Sequence, residues 1–435
     1  MQKHYGVLLA LALSVPGSHQ MPAMANADVD RNGPQTFWIG TWAAAPQPPV
    51  PGRVETFRNQ SLRLVVHTST GGAKVRIRLS NAFADQPLVI GSAHVARRTA
   101  EADVDVASDR ALTFGGHPAT TVPPRSAVVS DPVDLDVPAL ADLAVSLFFP
   151  NTAAATTTHV LALQTNYVSP ETGDSTAATK FPIARTIATW PFLAGVEVAA
   201  SPRGASIVAF GSSTTDGDGS TKDANRRWPD VLAERLERPS DGRAEIGVLN
   251  EGIIGNRLLY DSPRGPDNPF GGALGQAGLR RFERDVLAQA GVKYVILGLG
   301  VNDILFPEFP FTPATETVDA RNIIAGYRQL IARAHKKGVR IFGTTIPPFE
   351  GATFNNAGLT LRFYTPERDR VRQTVNDWIR QSKEFDAVVD FDAVLRDPDQ
   401  PTRLLPAYAS DDHLHVNDAG NVAQGSAIPL ALFRR

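Results

Sequence analysis

The sequence predicts an α/β protein, a doubly wound parallel sheet, preceded by an all-β sandwich-like region. Three observations predict it. From about Phe37 to Ser201 the chain reads as short strands, the clearest with a period of two. Beyond Gly204 short apolar runs alternate with longer amphipathic ones. The turn-forming stretch Ser201-Pro202-Arg203-Gly204 divides the two patterns. A chain of 435 residues exceeds one compact core. The expected division is therefore an N-terminal segment 1–27, a β-rich domain 36–202 and an α/β domain 203–435.

In the N-terminal segment, Lys3 and His4 precede "YGVLLALALSV", and "AMANA" (Ala23–Ala27) follows. A short apolar run with small-x-small sites downstream is the pattern of an export signal, removed near Ala25 or Ala27. The run is too short to span a bilayer, and Pro16 and Gly17 would end a helix of the mature fold. The expectation is a secreted or periplasmic protein with no integral membrane segment after signal removal. Cysteine is absent, which excludes disulfides, thiolate catalysis and cysteine-ligated metals. A formal net charge of -2 supplies no basic field for nucleic acid.

In the first half, "AKVRIRLSNA" is the clearest strand. Val75, Ile77 and Leu79 alternate with Lys74, Arg76 and Arg78, as on a half-buried strand. "SLRLVVHTS", "PLVIGSAHVA", "ADLAVSLFFP" and "THVLALQTNYVS" are further strand-like runs, separated by Pro, Gly, Asp and Thr. Their sum is a β-sandwich. In the second half, "ASIVAF", "EIGVLN", "KYVILGLG", "RIFGTTI" and "AVVDF" read as buried parallel strands. Between them, Ile323, Tyr327, Leu330 and Ala334 repeat at helical spacing, with Gly338 closing the run. A second helix opens on Thr365-Pro366 and places Val371, Val375, Trp378 and Ser382 on one face.

Ligands of open α/β sheets bind beyond the carboxyl ends of the strands. The first strand is followed there by "GSSTTDG" (Gly211–Gly217), the second by "NEGIIGNRLL" and the third by "GLGVND". Singly each is an ordinary turn; together they form a rim of small and amide residues. The second half has three histidines, His335, His413 and His415. His335 lies at a predicted helix end, where it complements the dipole. In "ASDDHLHVNDAG" Asp412 and His415 are three apart, so one turn can bring carboxylate to imidazole, the pairing a serine nucleophile requires. His413 then projects elsewhere and is read as structural. Metal ligation by Asp412, His413 and His415 is the alternative, although no other strand end offers a matching cluster. His67, His94, His117 and His159 in the first half are also read as structural.

The blocks "FGSSTTDG", "GIIGNR", "GVND" and "DHLH", in that order, resemble the SGNH (GDSL) hydrolase family across the whole second domain. "NRRWPDVLAERL", "IPPFEGA" and the opening "WIGTWAAAPQPP" resemble its exported bacterial esterases that carry an N-terminal β-domain. The resemblance implies a flavodoxin-like sheet order. It also implies Ser213 as nucleophile, His415 as general base and Asp412 as its orienting acid. The oxyanion hole would comprise the backbone N–H groups of Ser213 and Gly255 and the side-chain amide of Asn302. Glycine at 255 would leave room for the substrate. Asp216 and Asp303 would brace their loops. No cofactor and no metal are implied. Ser212 stands where the family usually has Asp, and could replace some of its hydrogen bonds but not its charge. Val416 stands where many members have Pro. No Gly-x-Ser-x-Gly elbow surrounds Ser213, which argues against the α/β-hydrolase fold.

The implied activity is hydrolysis of carboxylic esters through an acyl-enzyme, on a small-molecule or polysaccharide ester. Two alternatives stay open at this point: an impaired carbohydrate-binding or adhesion protein, and acyl transfer by the same residues. The inserts "YDSPRGPDNPFGGALGQ" and "FPEFPFTPAT" follow the second and third strands and should border the rim.

Overall fold

The structure, a computed structural model, describes residues 36–238, 245–263, 267–356 and 359–433. The export signal expected over residues 1–27 lies outside them.

Alternation of apolar and polar residues builds two antiparallel sheets from six principal strands: β1 (Phe37–Ala43), β2 (Gln60–His67), β3 (Gly72–Ser80), β4 (Ser92–Ala100), β5 (Asp142–Phe149) and β6 (Leu193–Ala200). In one sheet β6 lies between β1 and β3; in the other β5 lies between β2 and β4. Val75, Ile77 and Leu79 of β3 are fully buried. They share a core with Leu62, Leu64, Val145 and Leu147 of the facing sheet. The other face of β3 is not simply a solvent face. Arg76 and Arg78 bind the buried Glu197 of β6 at 2.7 and 2.5 Å, and Arg78 also donates to the Ala288 carbonyl of the second region. "THVLALQTNYVS" is not one strand: Thr158–His159 and Asn166–Val168 pair with different partners, and Val160–Thr165 is irregular between them.

After the Ser201–Gly204 turn come β7 (Ala205–Gly211), β8 (Ile246–Asn250), β9 (Val292–Gly298), β10 (Arg340–Thr344) and β11 (Ala387–Val389). All are parallel, in the spatial order β8-β7-β9-β10-β11. Every residue of β7 is buried because helices cover both faces of the sheet. The helices that matter here are α1 (Ser213–Asp216), α2 (Trp228–Glu237), α3 (Ala320–Lys336), α4 (Pro366–Gln381) and α5 (Asp418–Ala427). Trp228 and Leu232 of α2 pack on Ile207 and Ala209. Ile323, Tyr327 and Leu330 of α3 share the opposite core with Val208 and Phe210. In α4 the buried face centres on Arg372, Val375, Asn376 and Ile379, whereas Val371 and Trp378 are half-buried. Apolar spacing missed this because two polar residues are satisfied inside. Arg372 binds Asp369 and Asp392 at 2.6 Å each, and the Asn376 amide bonds both backbone groups of Ile346.

The β-rich and α/β regions share one compact unit, Phe37–Arg435. The Gly40 N–H points at the Ala290 carbonyl (3.2 Å) and Ser206 Oγ (3.0 Å), and Ser69 Oγ accepts from the Val248 N–H. Among the described residues no helix is long and apolar enough to cross a membrane.

Candidate active site

The buried β7 ends at Gly211, Ser212 continues extended, and Ser213 opens the one-turn helix α1, which Gly217 closes with φ of 105°. As the first helical residue, Ser213 has a backbone N–H with no partner inside the helix. The loop before α5 folds back on itself. Asp412 Oδ1 accepts from the Leu414 and His415 N–H groups at 2.9 Å each, which swings its Oδ2 to 2.5 Å from His415 Nδ1. His415 Nε2 then lies 2.8 Å from Ser213 Oγ, across 202 positions of sequence. Hydroxyl, imidazole and carboxylate thus stand in line at the carboxyl rim of the sheet.

The electrostatics of the line are polarised. Burial would raise the Asp412 carboxyl, but the His415 hydrogen bond and charge and the two N–H donors outweigh it and hold it at about 2. Burial would lower His415, yet its bond to Asp412 and the nearby charges of Asp218 and Asp412 raise it above the usual imidazole value. Asp218 was not singled out by the sequence. Its Oδ2 lies 3.6 Å from His415 Nε2, and burial raises its carboxyl. His413 takes left-handed backbone (φ 57°), is exposed and sits beside Gly351. His335 is tied to Asp386 at 2.9 Å. Among the described residues no group of three or more His, Asp or Glu is arranged to hold a metal ion.

The loop after β8 is laid against α1. A Cβ on Gly252 would fall 2.2 Å from the Asp216 nitrogen, so only glycine permits this approach. Gly255 has φ of 70°, and a Cβ there would also meet Leu274. Its glycine is thus explained by backbone conformation and by a neighbour within the fold. Asn302 follows Gly300, is 6% exposed and donates from Nδ2 to the Asn256 carbonyl at 3.0 Å. One of its two amide hydrogens is used there.

Beneath these loops lies a residue that no local motif marked. Arg281 is fully buried and donates to the Gly211 carbonyl (2.9 Å), the Glu251 carbonyl (2.8 Å) and Asn256 Oδ1 (2.9 Å), while its guanidinium rests 4.1 Å over the Phe210 ring. One cation therefore ties β7, which leads into Ser213, to the Gly255 loop. Beside it Glu251 is raised well above the usual carboxyl value by burial and by the Asp285 charge. Asp303 braces the same loop from above, accepting from the Leu258 and Leu259 N–H groups at 2.7 and 2.9 Å. Asp216 does so from the side, accepting from the Ile254 N–H at 2.8 Å.

Residues 209–423 match the GDSL-like Lipase/Acylhydrolase family. The chain thus carries a domain of that family. No curated protein matches it. Among solved structures, the M. smegmatis aryl esterase is 17% identical, with 51% of this chain and 95% of that chain covered and a TM-score of 0.37. A carbohydrate acetylesterase family member from Sinorhizobium meliloti is 20% identical, with 52% and 97% covered and a TM-score of 0.36. A GDSL-like lipase from Bacteroides thetaiotaomicron is 17% identical, with 52% and 87% covered and a TM-score of 0.34.

Against the GDSL pattern, Ser212 does not take over hydrogen bonds of the missing Asp. Its Oγ is buried and unpartnered, as are Trp228 Nε1 and both amide atoms of Gln424. These three side chains line one cavity of about 30 Å³. The two inserts of this GDSL-like domain meet: Phe270 of the first contacts Phe311 of the second, ring centres 6.2 Å apart. Both join Phe309 and Phe354 in an aromatic cluster. The strand bearing Phe354 touches the His415 loop through the Thr353 N–H and the Asp412 carbonyl.

Proposed function

We propose that the protein is an exported serine esterase that cleaves carboxylic esters of small molecules or polysaccharides through an acyl-enzyme. The observation that carries the reading is the 2.8 and 2.5 Å line from Ser213 Oγ through His415 to Asp412, set in a region of the GDSL-like Lipase/Acylhydrolase family.

In this reading His415 Nε2 takes the Ser213 proton as Oγ attacks the ester carbonyl. The imidazolium that forms is stabilised by Asp412, which stays ionised because its carboxyl is held low. Negative charge develops on the former carbonyl oxygen and meets the N–H groups of Ser213 and Gly255 and the free amide hydrogen of Asn302. Fixed donors stabilise that charge without reorganising. His415 then protonates the departing alkoxide, leaving the acyl group on Oγ. A water activated by the same imidazole attacks the acyl carbon, and Ser213 recovers its proton as the acid leaves.

The test is Ser213→Ala with p-nitrophenyl acetate and a fluorophosphonate probe. The expected loss in kcat is roughly six orders of magnitude, as for other serine triads, with covalent labelling abolished. Undiminished turnover by the variant would overturn the assignment.

A further inference from the structure

The β-rich region sends one side chain into the second region's chemistry. His159 stands on the two-residue strand Thr158–His159, paired with Trp190–Pro191. Its ring is 3% exposed and lies beside the Trp190 ring at 5.8 Å. Nδ1 is 3.0 Å from the Ala45 carbonyl, and Nε2 is 2.9 Å from Asp216 Oδ1. A carbonyl oxygen can only accept, so Nδ1 carries a hydrogen. A proton then lies between Nε2 and the carboxylate.

Asp216 is the last residue of α1, the helix that Ser213 opens, and is 1% exposed. Its other oxygen, Oδ2, accepts from the Ile254 N–H at 2.8 Å, one residue before Gly255. A continuous path therefore runs from the Ala45 carbonyl through His159 and Asp216 to the backbone beside Gly255. A buried carboxylate oxygen is costly without a hydrogen-bonding partner, so loss of the imidazole would leave Oδ1 to turn or seek another donor. The Ile254 bond on the same carboxylate would turn with it.

We propose that His159 is a positioning residue that fixes the Gly255 N–H through Asp216, so that the β-rich region completes the esterase site. The proposal rests on the esterase reading above. It assigns the β-rich region a part in turnover itself, since a histidine 57 positions from Asp216 sets a donor for the transition state.

The experiment compares His159→Gln with His159→Leu in the full chain. The Gln amide can still donate towards Asp216, whereas Leu fills similar space without a donor. The readouts are kcat and KM on p-nitrophenyl acetate, the rate of fluorophosphonate labelling at Ser213, and Tm. Displacing a catalytic group by a fraction of an ångström costs on the order of 10-fold or more. The Leu variant should therefore lose about 10- to 100-fold in kcat with KM within about 3-fold. The Gln variant should recover most of that loss at equal Tm. Equal kcat for the two folded variants overturns the proposal while leaving the esterase reading intact. A wild-type protein that neither turns over nor labels at Ser213 overturns the esterase reading instead.

Discussion

At the scale of single residues, the proposed esterase site has a second carboxylate near Nε2 of its proposed base, His415. Asp412 faces His415 Nδ1, and Asp218 lies 3.6 Å from Nε2. Both charges favour the imidazolium and raise His415. In the proposed mechanism neutral imidazole accepts the Ser213 proton, so activity should be lost as pH falls through the raised value. Asp218→Asn removes one of the two charges and leaves Asp412 in place. The acid limb of kcat/KM should then move to lower pH, towards the ordinary imidazole range. A pH profile of kcat/KM for wild type and variant checks this, and an unmoved or upward-shifted limb would refute it.

At the scale of elements, the proposed oxyanion hole depends on how the loop after β8 is clamped. Asp303 holds it through two backbone N–H groups while almost fully buried. Burial pushes its carboxyl up to about 6, against the pull of those N–H donors and of the Arg257 charge. The linkage sign is the reverse of that for Asp412. A raised carboxyl favours folding most below its unfolded value of 3.8 and loses that contribution as pH rises through about 6. Asp303→Asn should remove this pH dependence. It also replaces one acceptor with an NH₂ group facing a backbone N–H, so stability near neutral pH should fall by about 1–3 kcal/mol. Denaturant titrations at pH 5 and pH 7.5 measure both effects. The five parallel strands and the loop blocks after the first three of them were legible because each is a local signal: an apolar run of strand length, then glycines and amides where the chain must turn tightly. His415 and Asp412 were legible because three positions suffice for one turn. Arg281 and His159 carry no such mark. Their partners lie in distant segments, and a lone Arg on a helix or a lone His in a strand reads the same whether it faces solvent or joins two loops. Ser212 misled for a related reason, since a hydroxyl in sequence does not reveal that it makes no hydrogen bond to the rest of the protein.

At the scale of the whole molecule, the change in sequence period at Ser201–Gly204 divides two patterns of secondary structure without dividing the core. The edge strand β8 of the parallel sheet is covered by the β-rich region, whose Ser69 hydroxyl accepts the Val248 N–H. Nearby, the Gly40 N–H meets the Ala290 carbonyl and Ser206 Oγ. Arg78, neutralised by Glu197, reaches the Ala288 carbonyl, and the Gln47 amide bonds the Ala273 carbonyl. Separating the regions would leave these groups to water and expose the edge of a parallel sheet, which pairs readily with other chains. Exchanging each of these hydrogen bonds for water loses about 0.5–1.5 kcal/mol, and together they reach the lower range of an ordinary domain's stability. The full chain should accordingly unfold in a single calorimetric transition, with calorimetric and van't Hoff enthalpies in agreement. A fragment comprising residues 203–435 should aggregate or remain unfolded despite containing Ser213, His415 and Asp412. Two resolved transitions, or a soluble fragment with a cooperative melt, would show instead that the α/β region holds itself together and that its contacts with the β-rich strands are dispensable to folding.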